Sequence, residues 1–200
     1  MTEPVQRIVK VLARGPQTIR SLGFETGGPG TLEVAPITSR LTSLETLSLG
    51  AWPLRFEGAL SASLRHLIIN LREPVSGLGE ARFPGLEKLA LELPFRRLEV
   101  PPALLGGEVA ASLKSLTLSG ALWPQQLGEL SASALLRGLS ELTIWAGAET
   151  GWYAALLESI DSFAHLDRIS LLADRHHPEW VEAVKTALPQ ANIRGPQLRL

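Results

Sequence analysis

The residues best equipped for chemistry stand together near the C-terminal end: Asp174, Arg175, His176 and His177. A carboxylate and two imidazoles are zinc-ligand types, and a zinc-bound water there would make a hydrolase centre. The spacing argues against it. Adjacent side chains on a strand or helix diverge, and no His-Glu-x-x-His run accompanies the cluster. A polar loop leading to Pro178 at a helix start accounts for the same residues. His66 and His165 lie elsewhere in the chain. Gly27-Gly28-Pro29-Gly30 lacks the Lys-Ser/Thr of a phosphate loop and reads as a turn. Serines are plentiful, yet none sits in Gly-x-Ser-x-Gly. Cysteine is absent, which removes disulfides, thiolate metal sites and cysteine nucleophiles. No catalytic residue, metal or cofactor is expected. Metal-dependent hydrolysis at Asp174, His176 and His177 is the alternative.

The elements that would carry any site are far more legible. Of 200 residues 38 are leucine, an excess that implies reuse of one residue at one structural position. The pattern Leu-x-x-Leu-x-Leu recurs as Ile19, Leu22, Phe24; Leu44, Leu47, Leu49; Leu64, Leu67, Ile69; and Leu86, Leu89, Leu91. It continues as Leu113, Leu116, Leu118; Leu139, Leu142, Ile144; and Leu166, Ile169, Leu171. The middle residues fall at 22, 47, 67, 89, 116, 142 and 169, in steps of 25, 20, 22, 27, 26 and 27. Leu41, Phe83, Leu136 and Phe163 add an apolar residue three positions upstream. The last two members of each triplet alternate as in a strand with one buried face. A unit of this length cannot bury that face alone, so units must stack with their strands parallel.

From Ile19 to Leu171 the chain resembles the leucine-rich-repeat family, whose periods run roughly 20–29 residues. The resemblance implies an α/β solenoid with a parallel sheet of about seven short strands, mixed helical and extended outer connectors, and helical caps at both ends. It departs from the family at the Asn or Cys that follows each strand, where this chain has Trp52, Arg72, Pro94, Ala121, Gly147 and Asp174. An irregular bacterial-type array without an asparagine ladder is the expected form.

The whole of 1–200 reads as one domain, with an N-terminal cap at 1–15, repeats over 16–172 and a C-terminal cap at 173–200. Thr2 would cap a first helix, Pro4 suits its opening turn, Val5, Ile8, Val9 and Leu12 form its apolar stripe, and Gly15 ends it. At the far end Pro178 opens a helix through Leu188 with Trp180, Val181, Val184 and Leu188 inward, and Ala191–Arg194 suits a final short strand. Residues 51–63 are too few for a helix plus two turns. Thr31-Leu-Glu-Val and Arg97-Leu-Glu-Val, each entering a proline-containing segment, look extended. Gln125 to Arg137 and Gly151 to Phe163 suit helices, the latter with Ala155, Leu156, Ser159 and Ile160 on one side. Caps at both ends would make the chain a complete unit.

Function falls to the strand residues that point away from the core and would line the concave surface of the resembled fold. The expected partner-binding set is His66, Ile68, Lys88, Glu92, Glu141, Thr143, Trp145, Arg168 and Leu172. Trp145 is the expected anchor, set between Ser119 and Leu172, unless the loop 147–151 folds it against Trp152. Trp52-Pro53 and Trp123-Pro124 are expected to plug turns. A net charge of −1 without a basic block gives no footprint for nucleic acid or anionic membranes. No run of about 18 apolar residues and no signal-like N-terminus occurs. The expectation is a cytoplasmic, monomeric, non-catalytic module that binds another protein as scaffold, regulator or inhibitor. A self-associating structural protein is the further alternative.

Overall fold

The computed structural model describes residues 18–25, 30–50, 52–73, 75–97, 100, 102–105, 111–146, 150–173 and 178–194. Short runs with alternating apolar residues form strands β1 (Ser21–Phe24), β3 (Thr46–Leu49), β5 (His66–Asn70) and β7 (Lys88–Arg97). They are followed by β8 (Ser115–Ala121), β9 (Glu141–Ala146), β10 (Arg168–Ala173) and β11 (Ala191–Arg194). These eight lie side by side in one open sheet, in chain order and all parallel, with β1 and β11 at its edges. The sequence led us to expect about seven, and Ala191–Arg194 supplies the eighth.

The register follows the triplets. Leu22, Leu47, Leu67, Leu89, Leu116, Leu142 and Ile169 form one line of paired residues that Ala191 extends. From Leu47 to Ile169 every member is at most 2% exposed. Leu49, Ile69, Leu91, Leu118, Ile144 and Leu171 make a second buried line beside it. Leu44, Leu64, Leu86, Leu113, Leu139 and Leu166 close the core at the strand entrances, backed by Leu41, Phe83, Leu136 and Phe163. On edge strand β1 the equivalent Leu22 and Phe24 are only partly buried.

Polar groups at the entrances knit neighbours together. The Arg20 carbonyl accepts from the amides of Glu45 and Thr46, and the Glu45 carbonyl accepts from those of Arg65 and His66. The Arg65, Glu87 and Lys114 carbonyls repeat the arrangement one strand further on each time. Hydroxyls reinforce it. Ser63 Oγ donates to the Leu44 carbonyl at 2.9 Å and Ser112 Oγ to the Leu86 carbonyl at 2.8 Å. At the strand exits, where no asparagine ladder was expected, Asn70 Oδ1 accepts from the Arg72 amide at 3.2 Å and Trp52 fills the interior.

Connector length decides what backs the core. Between early strands, where the steps are short, β2 (Leu32–Glu33), β4 (Leu54–Arg55) and β6 (Val75–Ser76) form a second, small parallel sheet. Later connectors hold α3 (Pro124–Ala132), α4 (Ala134–Gly138), α5 (Thr150–Glu158), the 3-10 turn Ile160–Phe163 and α6 (Pro178–Ala187). Of the two runs expected to be extended, Thr31-Leu-Glu-Val holds strand β2 at Leu32–Glu33, while Leu98 and Glu99 of the second lie outside the described residues. The proline-containing segments they enter form short helices, α1 (Ala35–Arg40) and α2 (Pro102–Leu105). Pro36 and Pro102 occupy first turns, where a missing N–H leaves no bond unmade. The helix expected over Gln125–Arg137 is broken at Ser133, which is extended. Its hydroxyl donates to the Leu130 carbonyl at 2.6 Å and accepts from the Leu136 amide at 3.1 Å, ending one helix and capping the next.

Helix α3 packs on α5, and α5 on α6. Val184 and Leu188 are buried as expected, while Trp180 and Val181 are half-buried. The N-terminal cap expected at 1–15 lies outside the described residues. Trp152 is wholly buried, edge-on to Tyr153 with centroids 5.3 Å apart, and Tyr153 stacks on Trp180 at 6.1 Å.

Leu89→Ala or Leu116→Ala should cost about 2–5 kcal/mol through the cavity left behind. Ser119→Ala should cost about nothing. An unmoved urea midpoint in either leucine variant would overturn the register. Burial pushes the Tyr153 phenol above its ordinary 10.0. Its contribution to stability is therefore fully present below about pH 10 and is lost as pH rises through the higher folded-state value. Urea midpoints taken at rising pH should fall more steeply in the parent chain than in Tyr153→Phe. Parallel curves would clear Tyr153.

Candidate partner-binding face

Strand alternation turns every second residue of the large sheet away from the leucine core, and the shared register arranges these residues in three rows. The first runs Ser21, Thr46, His66, Lys88, Ser115, Glu141, Arg168. The second runs Gly23, Ser48, Ile68, Ala90, Thr117, Thr143, Ser170, Asn192. The third is shorter, pairing Asn70 with Glu92, Glu92 with Ser119, and Trp145 with Leu172, which in turn pairs with Arg194. From β3 to β10 no side chain of these rows is buried. All nine residues expected to bind a partner lie on this one face.

They fall into two groups. Glu141, Thr143, Trp145, Arg168 and Leu172 occupy adjacent strands β9 and β10, with Arg168 held by Glu141 at 3.3 Å. His66, Ile68 and Lys88 sit on β5 and β7, and Glu92 lies further along β7 beside Asn70. Ser119 was the expected neighbour of Trp145. It falls one step beyond the β8–β9 pairing, which ends at Leu118 with Ile144. Trp145 is half-buried, whereas Trp152 belongs to the core.

Around His66 and Lys88 the face dips into a hollow of about 210 Å³ lined also by Thr46, Ile68, Ala90, Ser115 and Thr117. Thr46 Oγ1 lies 3.5 Å from His66 Nδ1. Thr46, Ser115 and Thr117 were expected on the open face but not in the partner-binding set. Their signal in the sequence is positional only, since each stands one residue before or after an inward leucine.

A charged row borders the strand entrances, two residues before each of the first five line leucines, reading Arg20, Glu45, Arg65, Glu87, Lys114; Ser140 follows in the next position. Arg20 pairs with Glu45 at 3.2 Å and Arg65 with Glu87 at 3.1 Å. On the opposite side of the molecule a wide hollow beside the small sheet is lined by Glu33, Arg55, Glu57 and Glu80, with Arg55 paired to Glu57 at 2.6 Å. Among the described residues no group of three His, Asp or Glu is placed to hold a metal. Asp174, Arg175, His176 and His177 lie outside those residues, as do 27–29 of the glycine-rich turn.

The two Trp-Pro pairs differ. Trp52 is 6% exposed and plugs its turn as expected, but Trp123 is 37% exposed. It stands at the head of α3, where its amide donates to Gln126 Oε1 at 3.4 Å, so its ring lies outside the core. Among the described residues no helix is long and apolar enough to cross a membrane.

No protein-family model matches this chain, and no curated protein matches it.

Trp152→Ala should lower stability by about 3–5 kcal/mol, and half-buried Trp145→Ala by about 2 kcal/mol or less. Equal losses in chemical denaturation would place Trp145 in the core and remove it from the face.

Proposed function

We propose that this chain is a leucine-rich-repeat solenoid that works as a non-catalytic protein-interaction module, holding another protein against the open face of its large sheet. The observation that carries this is the face itself, six adjacent strands, β3 to β10, on which no outward side chain is buried. Most of these residues are small and neutral, and Ile68, Trp145 and Leu172 stand among them. Large apolar side chains that supply contact area from a rigid base are the usual anchors of protein interfaces. The absence of cysteine suits a reducing compartment such as the cytoplasm.

A second reading, self-association, is favoured by Leu22 and Phe24 on edge strand β1, which keep part of their apolar surface exposed. Light scattering separates it from a monomer. The hydrolase reading rests on Asp174, His176 and His177, and metal analysis of the purified chain decides it. Zinc at one per chain, lost in His176→Ala, would establish that reading.

Partners captured from a native lysate test the main reading. Trp145→Ala should weaken a captured partner by about 2 kcal/mol or more, while Ser119→Ala leaves it unchanged. Unaltered binding in a triple variant of Ile68, Trp145 and Leu172 to alanine would move the interaction off this face.

A further inference from the structure

The hollow at His66 and Lys88 has a chemistry that selects what enters it. Resting on the partner-binding reading above, we propose that it receives a carboxylate side chain, so that the partner presents an acidic segment to this face. Lys88, His66, Thr46, Ser115 and Thr117 border it, around a lining that is mostly apolar and includes Leu67, Ile68, Leu89 and Ala90. Among the described residues no carboxylate lines it.

Lys88 is central because, among the described residues, no carboxylate lies within ion-pair distance of it, whereas Arg20, Arg55, Arg65 and Arg168 are each paired. Its register neighbours are His66 and Ser115. Glu141, in the same row, is two strands away, about 10 Å at ordinary strand spacing, and Glu92 is four residues along β7, about 13 Å. Glu87 adjoins Lys88 in sequence but turns to the strand entrance and pairs with Arg65.

Ile68 and Ala90 give the hollow an apolar floor. The methylenes of a glutamate can rest there while its oxygens meet the ammonium and hydroxyls. Covering the site would remove water and strengthen that attraction. One lysine balances one carboxylate. A phosphoryl group carries nearly two charges and is usually met by an arginine fork or several cations. The hollow has neither. It also lies open on a sheet rather than enclosing a small molecule, which suits a side chain delivered by a partner.

The test is selection of a random linear peptide library on the immobilised intact chain, with binders mapped by amide NMR shifts. Peptides that shift β5, β7 and β8 should be enriched in Asp or Glu at one position. Lys88→Glu should weaken them about tenfold or more, and exchanging that acidic residue for lysine should restore affinity to the variant. Because Lys88 is exposed, the variant should melt with the parent. Face binders without acidic preference, or indifferent to Lys88→Glu, overturn the carboxylate assignment and leave the partner face standing. Peptides carrying phosphoserine that bind tenfold tighter than their glutamate counterparts overturn it in favour of a phosphoryl site. A selection that yields no binder on this face removes both readings.

Discussion

Each strand of the large sheet has two or three inward apolar residues and no means of covering them within its own segment. A buried leucine contributes about 1.5–3 kcal/mol, and ordering one residue's backbone costs about 1–2 kcal/mol. A segment of 20–27 residues with so few buried leucines cannot hold itself together. It acquires a core only when Leu67 lies beside Leu47 on one side and Leu89 on the other. Every other feature of the molecule depends on this shared burial. The strands are parallel because each connector returns the chain to the same end. The register is common because a slip of one residue would turn Leu67 and Ile69 to the open face and bury His66, Ile68 and Asn70.

Burial alone would tolerate many orders of nearly identical strands. The entrance row narrows the choice. Arg20, Glu45, Arg65, Glu87 and Lys114 alternate in sign along adjacent strands, so a skipped or exchanged neighbour would bring like charges together. Each of these pairs is exposed and contributes little by itself. Their role is discrimination between orders, which needs repulsion in the wrong arrangement more than attraction in the right one. The carbonyl at each of these positions takes two amides from the next strand, so charge and backbone pairing specify the same neighbour.

How much of this was legible follows from how local the cause is. The strands and inward residues could be read directly because one residue type returns at one spacing. The connectors were only partly legible. Their length separated the small sheet from the helices, and Leu32–Glu33 is extended as expected, but the short helices that begin at Pro36 and Pro102 were not foreseen because proline both breaks a helix and begins one. The Trp-Pro pairs were indistinguishable in sequence, yet Trp52 closes a turn while Trp123 heads a helix. The hollow was beyond local reading altogether. Thr46, His66, Lys88 and Ser115 stand 20, 22 and 27 residues apart and meet only because four strands share one register. Aligning the triplets put these residues on the open face, but the concavity they form depends on side-chain sizes across four strands.

The same construction leaves one face of the sheet open. Parallel strands joined in chain order cross over on one hand, and the described connector elements pack on the leucine side, where Ile37, Leu54, Leu127, Leu156 and Val184 join the core. The opposite face then carries side chains fixed by backbone pairing and by buried neighbours rather than by flexible loops. That rigidity sets distances. On the proposed reading, Lys88 on β7 and Trp145 on β9 are the two strongest contacts. They lie two strands apart and four residues displaced along the strand direction. At ordinary strand dimensions this is about 10 Å by 13 Å, hence about 16 Å on the diagonal. An extended peptide covers that distance in about five residues. A partner segment with an acidic residue and a large apolar residue at that separation would satisfy both contacts without bending. A compact helical turn, rising about 5.4 Å, would reach only one.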